Sequence, residues 1–331
     1  MNLFLKKIYK TQINVAKVVK KDLTYFTPGL AFAHGICALP LHRKPFSLIE
    51  KWAYREKHKQ VLLYLNEKYG SRLKDSFEKL QEGELTYDAR KLPIWICWLQ
   101  GEKNAPPLVH SCIASIEKHA GNHPVYIVTE ENLKSYLELP ATIYEKKKRG
   151  VIDAAQFSDI IRISLLQKFG GLWIDATVFC TKQIPEEYFR YDLFTCKGPI
   201  QGGKYISGFR WTSFIIGGRP GAPFFKLMQD LFYAYWEKED CKIDYLLIDY
   251  FIELLYRNVP SVKQMIDVIP ENNLERDKMA LLMNCAFSPE LWKKLIYSET
   301  IFYKLSWREN WKEKTCDGRQ TLFGRFICNE K

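Results

Sequence analysis

The residues best suited to chemistry are concentrated between positions 155 and 177. Ala155-Gln156-Phe157-Ser158-Asp159-Ile160-Ile161-Arg162 runs on to Phe169-Gly170-Gly171-Leu172-Trp173-Ile174-Asp175-Ala176-Thr177. Asp159 and Arg162 are three apart and so share one side of a helix otherwise rich in Ile160, Ile161, Leu165 and Leu166. Taken alone, that spacing describes an exposed ion pair worth roughly a few tenths of a kcal/mol. The Gly-Gly break that follows changes the reading, because it feeds a short apolar strand that ends in an acid. Asp175 is thereby placed at a sheet edge that a ligand can reach. A carboxylate there suits a divalent ion bridging a diphosphate, since magnesium-like ions take hard oxygen ligands and substrate phosphates.

Elements that must position these residues can be read from hydrophobic periodicity. Residues 92–99 form a short apolar run bounded by Pro93 and Gly101, the pattern of a strand buried on both faces. A helix over 107–119 opens after Pro106-Pro107, and a second strand over 124–129 follows. A helix over 154–168, a strand over 172–174 and a strand over 210–216 come next, then helices over 223–236 and 243–257. Alternation at this spacing predicts an α/β domain with a largely parallel sheet, its ligand site at the carboxyl ends of the strands.

Residues 1–90 read instead as a helical N-terminal region. The first twenty-one residues hold Lys6, Lys7, Lys10, Lys17, Lys20 and Lys21 and no acid. On a helical wheel these lysines fall within roughly 140°, opposite Phe4, Leu5, Ile8, Val15, Val18 and Val19. Two readings stay open: a helix lying on an anionic membrane surface, or one packed on its own domain with a solvated lysine face.

Composition bounds the rest. The chain has 331 residues, 47% of them hydrophobic and 26% charged, which excludes disorder and small disulfide scaffolds. Forty-nine Lys and Arg against 38 Asp and Glu give +11, which points to an anionic partner without choosing among nucleic acid, membrane and phosphorylated substrate. The nine cysteines never form a C-x-x-C pair, so a reducing, cytosolic compartment is expected. No transmembrane segment is expected either, because the longest uncharged run, 23–42, is broken by Pro28, Gly29, Gly35 and Pro40.

The block from Asp159 to Thr177 resembles the core of DXD-type glycosyltransferases of GT-A fold. More specifically, it resembles the bacterial capsular polysaccharide synthesis protein family, which is related to the yeast outer-chain initiating mannosyltransferases. The opening Pro93-Ile94-Trp95-Ile96-Cys97-Trp98, the Ser158-Asp159-x-x-Arg162 helix and the late Lys304-Leu305-Ser306-Trp307 agree in type and order. The resemblance covers about Trp52 to Trp307. After the helical region read over 1–90, it implies a GT-A-like, Rossmann-type domain over 91–331. It also implies transfer, with retention, from a nucleoside diphosphate sugar, UDP-linked, to a lipid-linked bacterial surface polysaccharide. With such an acceptor, the basic helix over 1–21 would bring the enzyme to the inner face of the cell membrane.

Roles on residues follow from the same resemblance. Trp98 and Gln100 would lie near the base, Asp159 would hold the ribose or base, and Arg162 would orient the acidic motif. Asp175 would be the first carboxylate of the motif, with Ala176 beside it, and would hold manganese or magnesium. Thr177 occupies the second carboxylate's place, so the ion would bind weakly until the donor arrives. Asp249 would serve the acceptor hydroxyl or the back of the sugar ring, or is a plain helix-surface acid. Trp211, Thr212 and Ser213 would form the acceptor floor, or supply a core tryptophan. Lys304 would meet the leaving diphosphate, or is an ordinary surface lysine. Two further readings remain: a weakened, transferase-like glycan-binding protein, and a basic nucleic-acid-binding protein, against which no zinc-finger, helix-turn-helix or RNP-like pattern appears.

Overall fold

The computed structural model describes residues 3–39, 47–78, 87–201 and 203–328. The side chains of residues 1–10, among them Lys6, Lys7 and Lys10 of the basic face, lie outside the described residues. In chain order the first elements are α1 (Leu3–Tyr25), α2 (Pro28–Cys37), α3 (Ser47–Glu78), β1 (Ile94–Cys97), α4 (Pro107–His119), β2 (Val125–Val128), α5 (Leu133–Tyr136) and α6 (Ala141–Lys148). They are followed by α7 (Ala154–Phe169), β3 (Gly171–Ile174), β4 (Val178–Cys180), β5 (Phe194–Thr195), β6 (Ile215–Gly218), α8 (Pro223–Lys238) and α9 (Leu247–Asn258). The chain closes with α10 (Pro260–Asp267), α11 (Lys278–Leu282), α12 (Pro289–Ile296), β7 (Phe302–Lys304) and α13 (Leu322–Cys328).

The central sheet has the order β2-β1-β3-β6-β5. β1 pairs in parallel with β2 and β3, whereas β6 runs antiparallel to both β3 and β5, so only β6 runs against the rest. The class is α/β with a mostly parallel sheet, as the alternation of patterns required. Both faces are covered, which is why the strands read as unbroken apolar runs. Ile94, Ile96, Leu172 and Ile174 pack with Val109 and Ile113 of α4 on one face. Trp95 and Trp173 turn to the other, against Phe157 and Ile161 of α7 and Phe232 and Phe251 of α8 and α9. Val61, Leu65 and Tyr69 of α3 belong to that second cluster, so the N-terminal helices share a core with the sheet.

Local chemistry fixes the helix that carries the candidate site. Asp153 caps α7 by accepting from the Gln156 N–H at 3.0 Å, and Gly170 ends it at φ +64°, its N–H bonding to Leu166. Gly171 follows at φ +96°, and a Cβ there would stand 2.1 Å from the Pro93 carbonyl oxygen. The Gly-Gly pair is therefore a steric requirement of laying β3 against the start of β1.

β1 and β2 are trimmed at both ends relative to their apolar runs, and two further elements begin well after their hydrophobic patterns suggested. The strand expected over 210–216 begins only at Ile215, so Trp211, Thr212 and Ser213 precede it as irregular chain. The Thr195 hydroxyl takes the place of ladder bonds there, accepting from the Thr212 N–H at 2.9 Å and donating to its carbonyl at 2.8 Å. The helix expected over 243–257 starts at Leu247, leaving Asp244 outside it. Asp244 holds the chain in a local turn by accepting from the Leu246 N–H at 2.9 Å.

α1 is packed on α2 at its C-terminal end, where Asp22 is fully buried and pairs with His34 at 2.6 Å. His34 lies 3.4 Å from Asp244, which also receives Lys57 at 3.0 Å. Burial works against charge on His34, yet hydrogen bonds to Asp22 and Asp244 raise its pKa. No described helix is long and apolar enough to cross a membrane.

Candidate functional site

Asp175 leaves β3 at its carboxyl end, and its N–H bonds to the Phe214 carbonyl ahead of antiparallel β6. The two-stranded sheet then decides what stands beside it. Val178 of β4 pairs with Lys304 of β7, and the Leu305 N–H donates to the Thr177 carbonyl at 2.8 Å. A lysine 129 residues away in sequence is thereby set against the acid.

The result is a closed polar network. Arg162 donates to Asp159 Oδ1 at 2.7 Å through one terminal nitrogen and to Asp175 Oδ1 at 2.9 Å through the other. Trp173 Nε1 also donates to Asp175 Oδ1, at 2.9 Å. Lys304 Nζ donates to Asp175 Oδ2 at 2.7 Å and to Thr177 Oγ1 at 2.8 Å. The planar Arg162 fork makes the first arrangement possible, and it stacks 4.8 Å over the Trp173 ring.

Electrostatics separate the acids of this region. Burial would raise the Asp175 pKa, but Lys304 and Arg162 hold it below the usual carboxylate range. Burial pushes Asp159 up to about 7, with Arg162 opposing and the charges of Asp175 and Asp249 adding to the rise. Burial pushes Asp249 up to about 6, opposed by the Trp211 Nε1 bond at 2.9 Å. The cleft thus holds one firm anion, Asp175, and one acid, Asp159, whose charge burial disfavours.

A cleft of about 370 Å³ opens on this network at the carboxyl edge of the sheet. Trp98, Asp159, Arg162, Asp175, Ala176, Thr177, Ser213 and Lys304 all line it. Trp98 meets Trp307 edge to face across it, ring centroids 5.8 Å apart. Gln100 is not in the lining; it is exposed on the turn after β1, where its carbonyl accepts from Asn104. Trp211, Thr212 and Asp249 are buried outside the lining, Asp249 with its carboxylate turned to Trp211. Sequence reasoning passed over Trp173, Tyr245, Ser306 and Arg308. A signal was present for two groups: Trp173 is two before Asp175, on the same side of β3, and Ser306 and Arg308 follow within four residues of Lys304.

The pair expected to hold a divalent ion, Asp175 and Thr177, is already bridged by the Lys304 ammonium. Asp175 Oδ1 has two donors, and the ammonium lies between the remaining carboxylate oxygen and the threonine hydroxyl. An ion bound there would lie about 4 Å from Nζ, where a double and a single positive charge repel by about 8 kcal/mol at an effective dielectric of about 20. Among the described residues no group of three or more His, Cys, Asp or Glu could hold a metal. As arranged, these residues do not fit a divalent cation.

Fold and site together define an α/β protein with a cation-lined cleft at the carboxyl edge of its sheet, walled by aromatic rings. The chain belongs to the family described as capsular polysaccharide synthesis protein, which matches residues 43–326. Among solved structures it is similar to one titled PaToxG Glycosyltransferase, at 15% identity and a TM-score of 0.38, over 66% of this chain and 83% of that one. No curated protein matches.

Proposed function

We propose that this protein is a glycosyltransferase that moves a sugar from a nucleoside diphosphate donor, UDP-linked, to a lipid-linked bacterial polysaccharide, with retention at the anomeric carbon. The observation that carries the reading is the cleft itself, with Asp175 fixed by Arg162, Trp173 and Lys304 at the sheet edge. Trp98 and Trp307 offer rings against which a flat base can pack. Lys304 supplies positive charge where a leaving diphosphate develops its negative charge, and a fixed donor there needs no reorganisation during reaction. Asp175, kept ionised by its partners, faces the sugar, and Ser213 lies on the acceptor side. Membership of a polysaccharide synthesis family supports a glycan acceptor.

The test is donor turnover. UDP- and GDP-sugars should raise the melting temperature, because a ligand bound only to the native state stabilises it. Asp175→Asn, which keeps an acceptor oxygen between Arg162 and Lys304, should lower transfer by about a hundredfold or more with an unchanged circular dichroism spectrum. Near-normal transfer by that variant would remove Asp175 from the reaction. A donor-dependent shift without turnover would mean a glycan-binding protein, and retardation of DNA at moderate salt would favour the nucleic-acid reading.

The lipid-linked acceptor places the protein at the inner face of the cell membrane. Support comes from the N-terminal helices, where Lys17 and Lys20 are exposed on α1 and Leu23, Phe32 and Trp52 are 56%, 59% and 49% exposed. Phe32 of α2 and Trp52 of α3 meet edge to face, making a shared exposed apolar surface.

A further inference from the structure

We infer that the diphosphate of the donor is held by a strip of this chain's own side chains, Lys304, Ser306 and Arg308, with Lys304 standing where related sites place a divalent metal. The inference rests on the glycosyltransferase reading and adds what neutralises its substrate.

Three observations carry it. First, Lys304 Nζ bridges Asp175 Oδ2 and Thr177 Oγ1 at 2.7 and 2.8 Å, the two atoms that would otherwise share a metal. An ammonium has three N–H donors, so two hold the protein and one remains for a phosphate oxygen. Secondly, Lys304 at the end of β7 and Ser306 and Arg308 in the chain that turns away from it all line the cleft, bringing an ammonium, a hydroxyl and a guanidinium to it from one short segment. That is a run of hydrogen-bond donors matched to consecutive phosphate oxygens. Arg308 lies over the Trp307 ring at 5.2 Å, and Trp307 in turn meets Trp98, so phosphate and base subsites are continuous. Thirdly, the cleft is net positive without any ion: Arg162, Lys304 and Arg308 face Asp175 and an Asp159 that burial leaves partly neutral. A site built around a metal has the opposite need, an excess of carboxylates.

A threonine at 177 and a lysine at 304 suit each other: with one carboxylate instead of two the attraction for a doubly charged ion is lower, and the hydroxyl is a good acceptor for an ammonium. The consequence is a donor site that is complete without manganese or magnesium.

The test measures UDP and GDP binding calorimetrically in excess EDTA and in excess manganese, and manganese binding to the ligand-free protein by electron paramagnetic resonance. Wild type should bind one of the two nucleotides equally, within about twofold, in both conditions and should not bind manganese alone. Arg308→Ala should weaken nucleotide binding in EDTA by about tenfold, as expected for loss of a charge-assisted bond. Lys304→Met, which keeps the apolar stem, should weaken it further and acquire manganese binding at Asp175. Nucleotide binding by wild type only in manganese, or stoichiometric manganese binding by the free protein, would overturn the inference while leaving the donor site standing. Failure of both nucleotides to bind in either condition would overturn the glycosyltransferase reading itself.

Discussion

Arg162 is the residue on which the site turns, because its fork links an acid on α7 to an acid at the end of β3. The spacing of Asp159 and Arg162 was legible, but as an ordinary helical ion pair; burial and the contact with Asp175 give it its weight. Asp249 makes a cleaner test of how this core handles charge. Its folded pKa, near 6, lies above the ordinary aspartate value of about 3.9, so the folded state binds more protons than the unfolded state between those two pH values. The stability that Asp249 contributes therefore falls as pH rises from about 4 to about 6. Asp249→Asn keeps an acceptor for Trp211 Nε1 and should remove this part of the decline, a gain of about 3 kcal/mol at pH 7 read from urea unfolding at a series of pH values. An unchanged pH profile would show that Asp249 ionises in the fold as freely as in water.

At the scale of elements, α4, α7 and β3 were legible because their information is local: a proline opening, an aspartate cap, and a glycine pair at the stop. The segments around Trp211 and Asp244 were not, because the bonds shaping them come from Thr195 in one case and involve Lys57 and His34 in the other, far away in sequence. Lys304 was nameable from its place in the late Lys-Leu-Ser-Trp segment, yet its partner could be known only from the register of β4 on β7. Gly171 ties local and distant requirements together, since its positive φ and the Pro93 carbonyl exclude any side chain. Gly171→Ala should cost about 2–4 kcal/mol, from unfavourable φ plus overpacking, and move β3 away from β1. Thermal unfolding would measure it, and a melting temperature within a degree of wild type would mean the backbone at this turn yields more easily than its contacts imply.

For the whole molecule, part of the +11 charge lies on α1, where Lys17 and Lys20 are exposed and the apolar Ile13 and Leu23 also reach solvent. Surface lysines near an anionic leaflet contribute about 1 kcal/mol each at best, so two charge reversals matter in a weak association. Lys17→Glu with Lys20→Glu should abolish sedimentation with phosphatidylserine vesicles at low salt and leave turnover of a soluble donor unchanged. Persistence of vesicle binding would shift the membrane reading to the Phe32 and Trp52 surface alone.

The pairing of β4 with β7 also orders events in time. During synthesis Asp159, Arg162 and Asp175 emerge together, whereas Lys304 leaves the ribosome 129 residues after its carboxylate partner. Until then the acid has Arg162 and Trp173 but not its second cation. On the proposed function, a nascent chain cannot complete its phosphate-holding wall before β7 has emerged and paired with β4.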